Sequence, residues 1–539
     1  MPGDRAATTT AVGYHARMTH VTTYHDTRGA DGSHPTFSDV VVAGIAPGGG
    51  LYVPDALPSL ALDEILACAG MPYWQRAADI FGRFGVDVEA DRVAELMRDA
   101  YGTQWSDPRI APVTEVVAGT HVLELWHGPT SAFKDMALQC MPLFFSEAIA
   151  TKQAAGTLAE DFLILVATSG DTGKAALDGF ADRPHTGIVV FYPAEGVSDL
   201  QRKQMVTQVG ENVGVFGVRG NFDDCQNAVK AAFGDAAFSA ELRERHGLLL
   251  SSANSINWGR LLPQIAYYAS AYADLVTSGG VVAGRPMDVC VPTGNFGNIL
   301  GAYYAKRMGV PIGRLICASN ENKVLADFIA TGVYDISERE FVTTPSPSMD
   351  ILISSNLERQ LYELTRDAKR TAEWMASLRS EGRFTVDRET FARVREHFAA
   401  DSVTNEESLA CIRHVWDEHG YLLDPHTAVA WEVAERLRGE NPMLVVATAH
   451  WAKFGIDVYK ALHGIAYADA LPAQVASLTG VQLLAEVQRV APSGACVPRA
   501  LAELDDAEER FTGVVNAGRE GIEWAVRGWL DRDRTGRGP

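Results

Sequence analysis

Nowhere in the 539 residues is there an apolar run of the roughly 18 residues needed to cross a bilayer, and the N-terminus lacks the apolar core of a signal peptide. Those two absences predict a chain with no membrane partner, placed in the cytoplasm. Basic charge is short as well: 47 Lys and Arg stand against 68 Asp and Glu, a formal charge of -21. Such a field repels polyanions and offers no broad basic face, which argues against nucleic acid as a partner. The seven cysteines (Cys68, Cys140, Cys225, Cys290, Cys317, Cys411, Cys496) are odd in number and widely spaced, with no CxxC pair and no Cys/His metal spacing. A disulfide framework and a metal site are therefore not expected, and reduced thiols in apolar surroundings are. Internal repeats and low-complexity domains are also missing.

What is present is apolar content of 47% over a length that accommodates about two to four domains. Residues 1–17 carry little apolar material ahead of a second methionine, Met18, and read as a disordered extension or the product of an upstream start codon; Arg5 and Arg17 alone give a transit peptide too little charge. Residues 18–110 begin extended and turn-like, pass a Gly48-Gly49-Gly50 and Pro54/Pro58 cluster, and become helical from about Leu62 to Tyr101, which predicts an N-terminal domain. From about residue 160, continuous apolar runs alternate with amphipathic stretches: "FLILVA" (162–167), "GIVVFY" (187–192), 213–218, 248–251, "MDVCVP" (287–292), "RLICAS" (314–319) and "MLVVATAH" (443–450). Strands buried on both faces read this way, so the fold class is α/β with open, mostly parallel sheets covered by helices. Residues 111–154 and 276–480 are assigned to a large domain with a helical insertion at about 330–420, residues 155–275 to a smaller mobile domain, and residues 481–539 to a C-terminal helical segment.

Two loops at strand ends suit an anion. In "ATSGDTGKAAL" (167–177) a strand runs through Ser169, Asp171 and Thr172 into a helix, leaving N–H groups and hydroxyls together; the alternative is a well-capped turn. The spacing is too short for a Walker A loop. In "PTGNFGNILG" (292–301), Gly294 and Gly297 allow close backbone approach, and the amides through Asn298 can surround a phosphate; an unliganded turn is the alternative, and the G-x-G-x-x-G fingerprint is not met. Ligands bind at strand carboxyl ends in doubly wound sheets, so the pair of loops points to one site.

"HGPTSAFKD" (127–135) places Lys134 at the start of an apolar helix bearing Pro142. The helix dipole and burial both lower the proton affinity of an amine held there, and a neutral amine condenses with carbonyls. The alternative is a solvated lysine paired with Asp135, although Asp135 reads better as a cap of the helix that follows.

Taken in order, "HGPTSAFKD", "ATSGDTG", "SSANSINWGRLLPQ" (251–264), "PTGNFGN", "MDILISSNLER" (349–359), "DPHTAVA" (424–430) and "TAHWAKF" (448–454), with "TTYHDTRG" and "APGGGLYVP" before them, resemble the long-form threonine synthases. The resemblance runs from about Met18 to about Val475. It implies fold type II, the tryptophan synthase beta-like fold of pyridoxal 5'-phosphate (PLP) enzymes. It also implies a carbon-oxygen lyase that converts O-phospho-L-homoserine and water to L-threonine and phosphate, the last step of threonine biosynthesis. On matching positions, Lys134 resembles the catalytic lysine that holds PLP as a Schiff base, Gly294, Asn295, Phe296, Gly297 and Asn298 the cofactor-phosphate loop, and Thr448 the hydroxyl facing the ring nitrogen. Ser169, Asp171 and Thr172 match a loop that contacts the substrate carboxylate and the ring.

A substrate that carries a phosphate needs a second anion site, for which Asn257 and Arg260 are candidates alongside Ser169 and Thr172, with Lys174 and His127 behind them. An ion-paired structural arginine is the alternative for Arg260. Trp451 stands where the family has proline, which puts the turn beside Thr448 in question; His426 and His450 read as packed turn histidines. Two other functions stay open: a PLP-dependent phospho-lyase releasing 2-oxobutyrate, and a non-catalytic relative of the fold. A monomer or small homo-oligomer is expected.

Overall fold

The computed structural model describes residues 21–30, 32–168, 170–195, 197–492, 494 and 496–535, with side chains to Asp531. Reading along the chain, β1 (Tyr24–Asp26) pairs antiparallel with β2 (Tyr52–Pro54), and β3 (Val113–Val117) with β4 (Thr120–Glu124). Then come β5 (Asp161–Ala167), β6 (Thr186–Pro193), β7 (Val213–Arg219) and β8 (Leu248–Ser251). They are followed by β9 (Met287–Pro292), β10 (Ile312–Ser319), β11 (Val333–Asp335), β12 (Arg383–Thr385), β13 (Phe398–Ser402), β14 (Met443–Ala447) and β15 (Val514–Asn516).

The apolar runs become two largely parallel sheets. The larger has the order β13-β10-β9-β14-β4-β3, parallel except for β3 at its edge. The smaller, β15-β7-β6-β5-β8, is parallel throughout. Parallel strands need helices on both faces, which is why β9 and β14 are buried at every position. At the centre of the large sheet Val445 sits opposite both Val122 and Cys290.

The 21-residue helix Trp258–Ser278 forms a spine packed against the helix Gly297–Met308 and against helices of the N-terminal region. Asn257 starts it by accepting from Gly259 N at 2.8 Å, and Gly279 ends it in the left-handed region. Pro263 interrupts the backbone ladder inside it, and the Gln264 side chain donates to Arg260 O at 2.6 Å nearby. A Cβ on Gly301 would lie 3.2 Å from Gln264 Cβ, so glycine lets the helix Gly297–Met308 approach this spine closely.

Four sequence expectations need correction. The helix after Lys134 is not continuous: a short turn, Asp135–Leu138, stops, and a new helix runs Met141–Ala154 with Pro142 in its first turn, where a missing N–H costs nothing. The region 330–420 is not only helical, since β13 pairs with β10 as the edge of the large sheet and β11 pairs with β12. The C-terminal segment likewise supplies β15 to the smaller sheet, and Ile522, Ala525 and Val526 of its last helix pack against that sheet. The span 155–275 takes in most of the helix Trp258–Ser278, which packs on the large-sheet helix Gly297–Met308 as well. Five cysteines (Cys140, Cys225, Cys290, Cys317, Cys411) are buried free thiols, Cys68 is half-buried and Cys496 exposed. No helix among the described residues is long and apolar enough to cross a membrane.

Candidate active site

The carboxyl ends of β5, β9 and β14 open onto one cavity of about 180 Å³, lined among others by Lys134, Thr172, Arg260, Gly294 to Asn298, Ser348, His426 and Thr448. Crossovers in parallel sheets leave such a crevice at strand carboxyl ends.

Lys134 is delivered there by a loop that is tied down on both sides. Phe133 N donates to Thr448 O at 2.7 Å and His450 N to Ser131 O at 3.0 Å, so the loop is stitched to the chain leaving β14. Ser131 takes a left-handed φ of 59° to make the turn. Asp135 is completely buried and accepts from Thr130 N at 2.9 Å and Thr130 Oγ1 at 2.6 Å. It therefore closes the loop in front of the lysine rather than capping the helix behind it, and it is not the lysine's salt-bridge partner. Burial pushes its carboxyl up to about 7, against the Thr130 hydrogen bonds.

The Lys134 amine donates to Ser348 Oγ at 2.9 Å and lies 3.6 Å from Asp171 Oδ2. Burial brings the amine down to about 8; Asp171 opposes that fall, and the positive charges of Lys453 and Arg260 add to it. Asp171 itself is 6% exposed, yet against that burial Lys453 and Lys134 hold its carboxyl far below the usual range.

The loop 294–298 turns its carbonyls away from the cavity: Gly294 O accepts from Ser354 Oγ at 2.7 Å, and Asn295 O from Asn356 N and Nδ2 at 3.1 and 3.0 Å. Phe296 adopts φ 62° at the N-cap, and the first N–H groups of the helix Gly297–Met308 have no intrahelical acceptor. A Cβ on Gly294 would meet Ser348 O at 2.9 Å, so only glycine lets this loop close against the Ser348 segment. Asn298 Oδ1 accepts from Tyr267 at 2.6 Å and Tyr268 at 2.5 Å, which leaves its buried Nδ2 without a partner among the described residues. Arg260, in the same cavity, is 3% exposed, gives one hydrogen bond to Ala253 O at 2.7 Å and leaves Nε unpartnered. Burial alone pushes its guanidinium down to about 10, with no carboxylate beside it among the described residues. A charge buried without a counter-ion calls for a bound anion.

Residues 121–449 match the family described as pyridoxal-phosphate dependent enzyme, residues 23–101 the threonine synthase N terminus, and residues 427–526 the threonine synthase C-terminal family. Threonine synthase of Pseudomonas aeruginosa is 39% identical over 447 residues, covering 82% of this chain and 90% of that protein. The chain belongs to the threonine synthase family. PLP-bound threonine synthase from Brucella melitensis shares the fold at TM-score 0.81 and 36% identity, covering 94% of this chain and 99% of that one. Threonine synthase-like 1 of Homo sapiens is 44% identical over 436 residues, 79% of this chain, but this chain spans 58% of that protein's length.

Pyridoxal phosphate is the cofactor of this threonine synthase-type protein. The residues present fit it. Lys134 is the one lysine lining the cavity among the described residues, and the orphaned Asn298 Nδ2 and the helix start at Gly297 suit its phosphate.

The structure brings Lys134, Gly294, Asn295, Phe296, Gly297, Asn298, Thr448, Thr172 and Arg260 to one cavity. It does not bring Asn257, whose amide is used in capping and in donating to Val41 O at 2.8 Å. Asp171 faces the lysines, so as an anion it is unsuited to meet a substrate carboxylate. The hydroxyl of Thr168 accepts from Gly170 N and Gly173 N at 3.0 and 2.9 Å, closing part of the expected anion loop on itself. Ser169 lies outside the described residues. Lys174 is held by Gln208 and Asp178, and His127 stacks on Trp126 and bonds Glu124. Trp451 is buried in the turn Trp451–Phe454, with Thr448 still in the cavity wall.

Sequence reasoning missed Ser348, Lys453 and the task of His426. The last donates from Nδ1 to Asp424 at 2.8 Å and accepts from Ser348 N at 3.2 Å, fixing the turn that presents Ser348.

Proposed function

We propose that this protein is a threonine synthase, converting O-phospho-L-homoserine and water to L-threonine and phosphate. The observation that carries the reading is that two unlike anion receptors, the start of the helix Gly297–Met308 and the Arg260 guanidinium without a counter-ion, line one cavity with a buried amine of lowered proton affinity. One receptor suits the cofactor phosphate and the other a phosphorylated substrate.

When bound, the cofactor supplies an electron sink for charge developing on the substrate carbons. Lys134 anchors it and, once released, takes the α-proton and then a β-proton at Nζ; its proton affinity near 8 allows both uptake and return near neutrality. Arg260 and Thr172 hold the substrate's anionic groups while phosphate leaves the γ-carbon. One proton returned to that carbon, water added at the β-carbon and the second proton returned to the α-carbon complete threonine, the proton shed by the water going to the phosphate. Thr448 offers a neutral hydroxyl in the cavity wall that would serve the ring nitrogen, and His426 keeps Ser348 against the amine.

The test is product analysis with O-phosphohomoserine. Threonine and phosphate in equal amounts are expected. 2-Oxobutyrate and ammonia as main products would replace this reading with the phospho-lyase one, which needs the same elimination without productive water addition, and no turnover would leave a non-catalytic relative.

A further inference from the structure

Lys453 lies beside this cavity with its side chain fully buried, in the turn Trp451–Phe454 that follows Thr448. Its Nζ donates to Thr130 O at 2.8 Å, inside the loop that carries Lys134, and lies 2.9 Å from Asp171 Oδ1. The other oxygen of the same carboxylate is 3.6 Å from Lys134 Nζ. Ser348 Oγ stands between them, donating to Asp171 Oδ2 at 3.1 Å and accepting from Lys134 at 2.9 Å. Gln201 Nε2 reaches Asp171 Oδ1 at 3.4 Å. One buried carboxylate thus serves two lysines, and Lys453 has the shorter contact.

We propose that Lys453 is a positioning residue of this site: it takes up Asp171, so that the carboxylate cannot lock Lys134 into an ion pair. Were Asp171 to face Lys134 alone, the two would form a closed neutral pair in a dry pocket, with the amine held protonated and unable to bond a carbonyl or accept a proton. With Lys453 present the carboxylate's charge is already matched, and Lys134 is steered mainly by a neutral hydroxyl. The charged and titratable groups facing this cluster are Asp171 and Lys174 from the helix after β5, Lys453 from the turn after β14, Asp135 from the lysine loop, Arg260 from the helix Trp258–Ser278, and His426 beside Asp171. Burial, Lys453 and Arg260 act on Lys134 in one direction and Asp171 in the other. Lys453 also ties Asp171, at the start of a small-sheet helix, to the lysine loop on the large sheet.

The inference rests on Lys134 being the cofactor lysine and not on which product forms. Its test reads the amine directly: full-length protein stripped of cofactor is reductively methylated across pH, and modification of Lys134 is followed by peptide mass spectrometry. Wild type is expected to show a midpoint near 8. Lys453→Met should raise it by about one unit or more, since a positive neighbour is lost and Asp171 turns wholly to Lys134. Lys453→Arg should keep it near the wild-type value. Asp171→Asn should lower it, because two ammonium groups then face each other uncompensated. Opposite shifts in the Lys453→Met and Asp171→Asn variants are a signature that lost packing does not produce. An unchanged midpoint in Lys453→Met, or shifts of the same sign in both variants, overturns the proposal. Should Lys453→Met not fold, an Asp171→Asn midpoint at or above wild type overturns it alone.

Discussion

Arg260 is the clearest case of a side chain whose surroundings make sense only with a ligand in place. Its guanidinium is buried, bonded once to Ala253 O, and has no carboxylate beside it among the described residues. Replacing it with Met removes a bidentate anion receptor without emptying the space its stem fills. The expected result is a fall in kcat/KM for O-phosphohomoserine of about 10²–10³-fold, roughly 3–4 kcal/mol, with the folded protein retained. Steady-state kinetics and a thermal melt check both halves. The sequence placed Arg260, Lys134 and the 294–298 loop because ordered motifs bring chemistry with them. It names Asp171 only as a substrate or ring contact and does not name Lys453, because which lysine a carboxylate chooses is settled by distances across two sheets. Lys453 sits inside "TAHWAKF", whose legible features in sequence are the Thr448 hydroxyl and the tryptophan at 451. The activity of this account should rise from pH 6 toward 8 as the Lys134 amine loses its proton, and a rate that falls steadily over that interval would contradict the assignment of the amine as base.

Among elements, the helix Trp258–Ser278 does the most to shape the site, since it supplies Arg260 and the two tyrosines that orient Asn298. Asn257 begins it, with both ends of its amide engaged and 1% exposed. Asn257→Ala leaves Gly259 N and Val41 O without those partners in a buried setting, a loss of about 2–3 kcal/mol. Denaturant unfolding should show that loss while binding of phosphate-bearing ligands stays within a few-fold of wild type, because Asn257 does not line the cavity. From sequence a cap and a ligand are indistinguishable at such a position: both want a short amide before a helix. The strands legible in the sequence are the ones with continuous apolar runs, β5, β6, β7, β8, β9, β10 and β14. Those misread are short or polar: "FAADS" of β13 and "VVN" of β15 carry too little pattern to stand out from helical surroundings, and only their pairing with β10 and β7 makes them strands.

At the scale of the molecule, the chain closes on itself twice: an N-terminal unit packs against the helix spine, and the C-terminal stretch returns to the small sheet. Val514–Asn516 covers the β7 edge, while Ile522, Ala525 and Val526 cover a face formed by Leu163, Val189 and Phe216. A chain ended after Leu504 exposes both an unpaired strand edge and that apolar face, so it should aggregate or lose its cooperative melt, seen by size-exclusion chromatography and calorimetry. The loops at the strand ends line one cavity with the Lys134 amine. Borohydride reduction of the cofactor-loaded protein followed by peptide mapping tests that convergence most directly. The cofactor label is expected on the peptide containing Lys134 and should vanish in Lys134→Ala; a label on any other lysine, Lys453 included, would contradict the account.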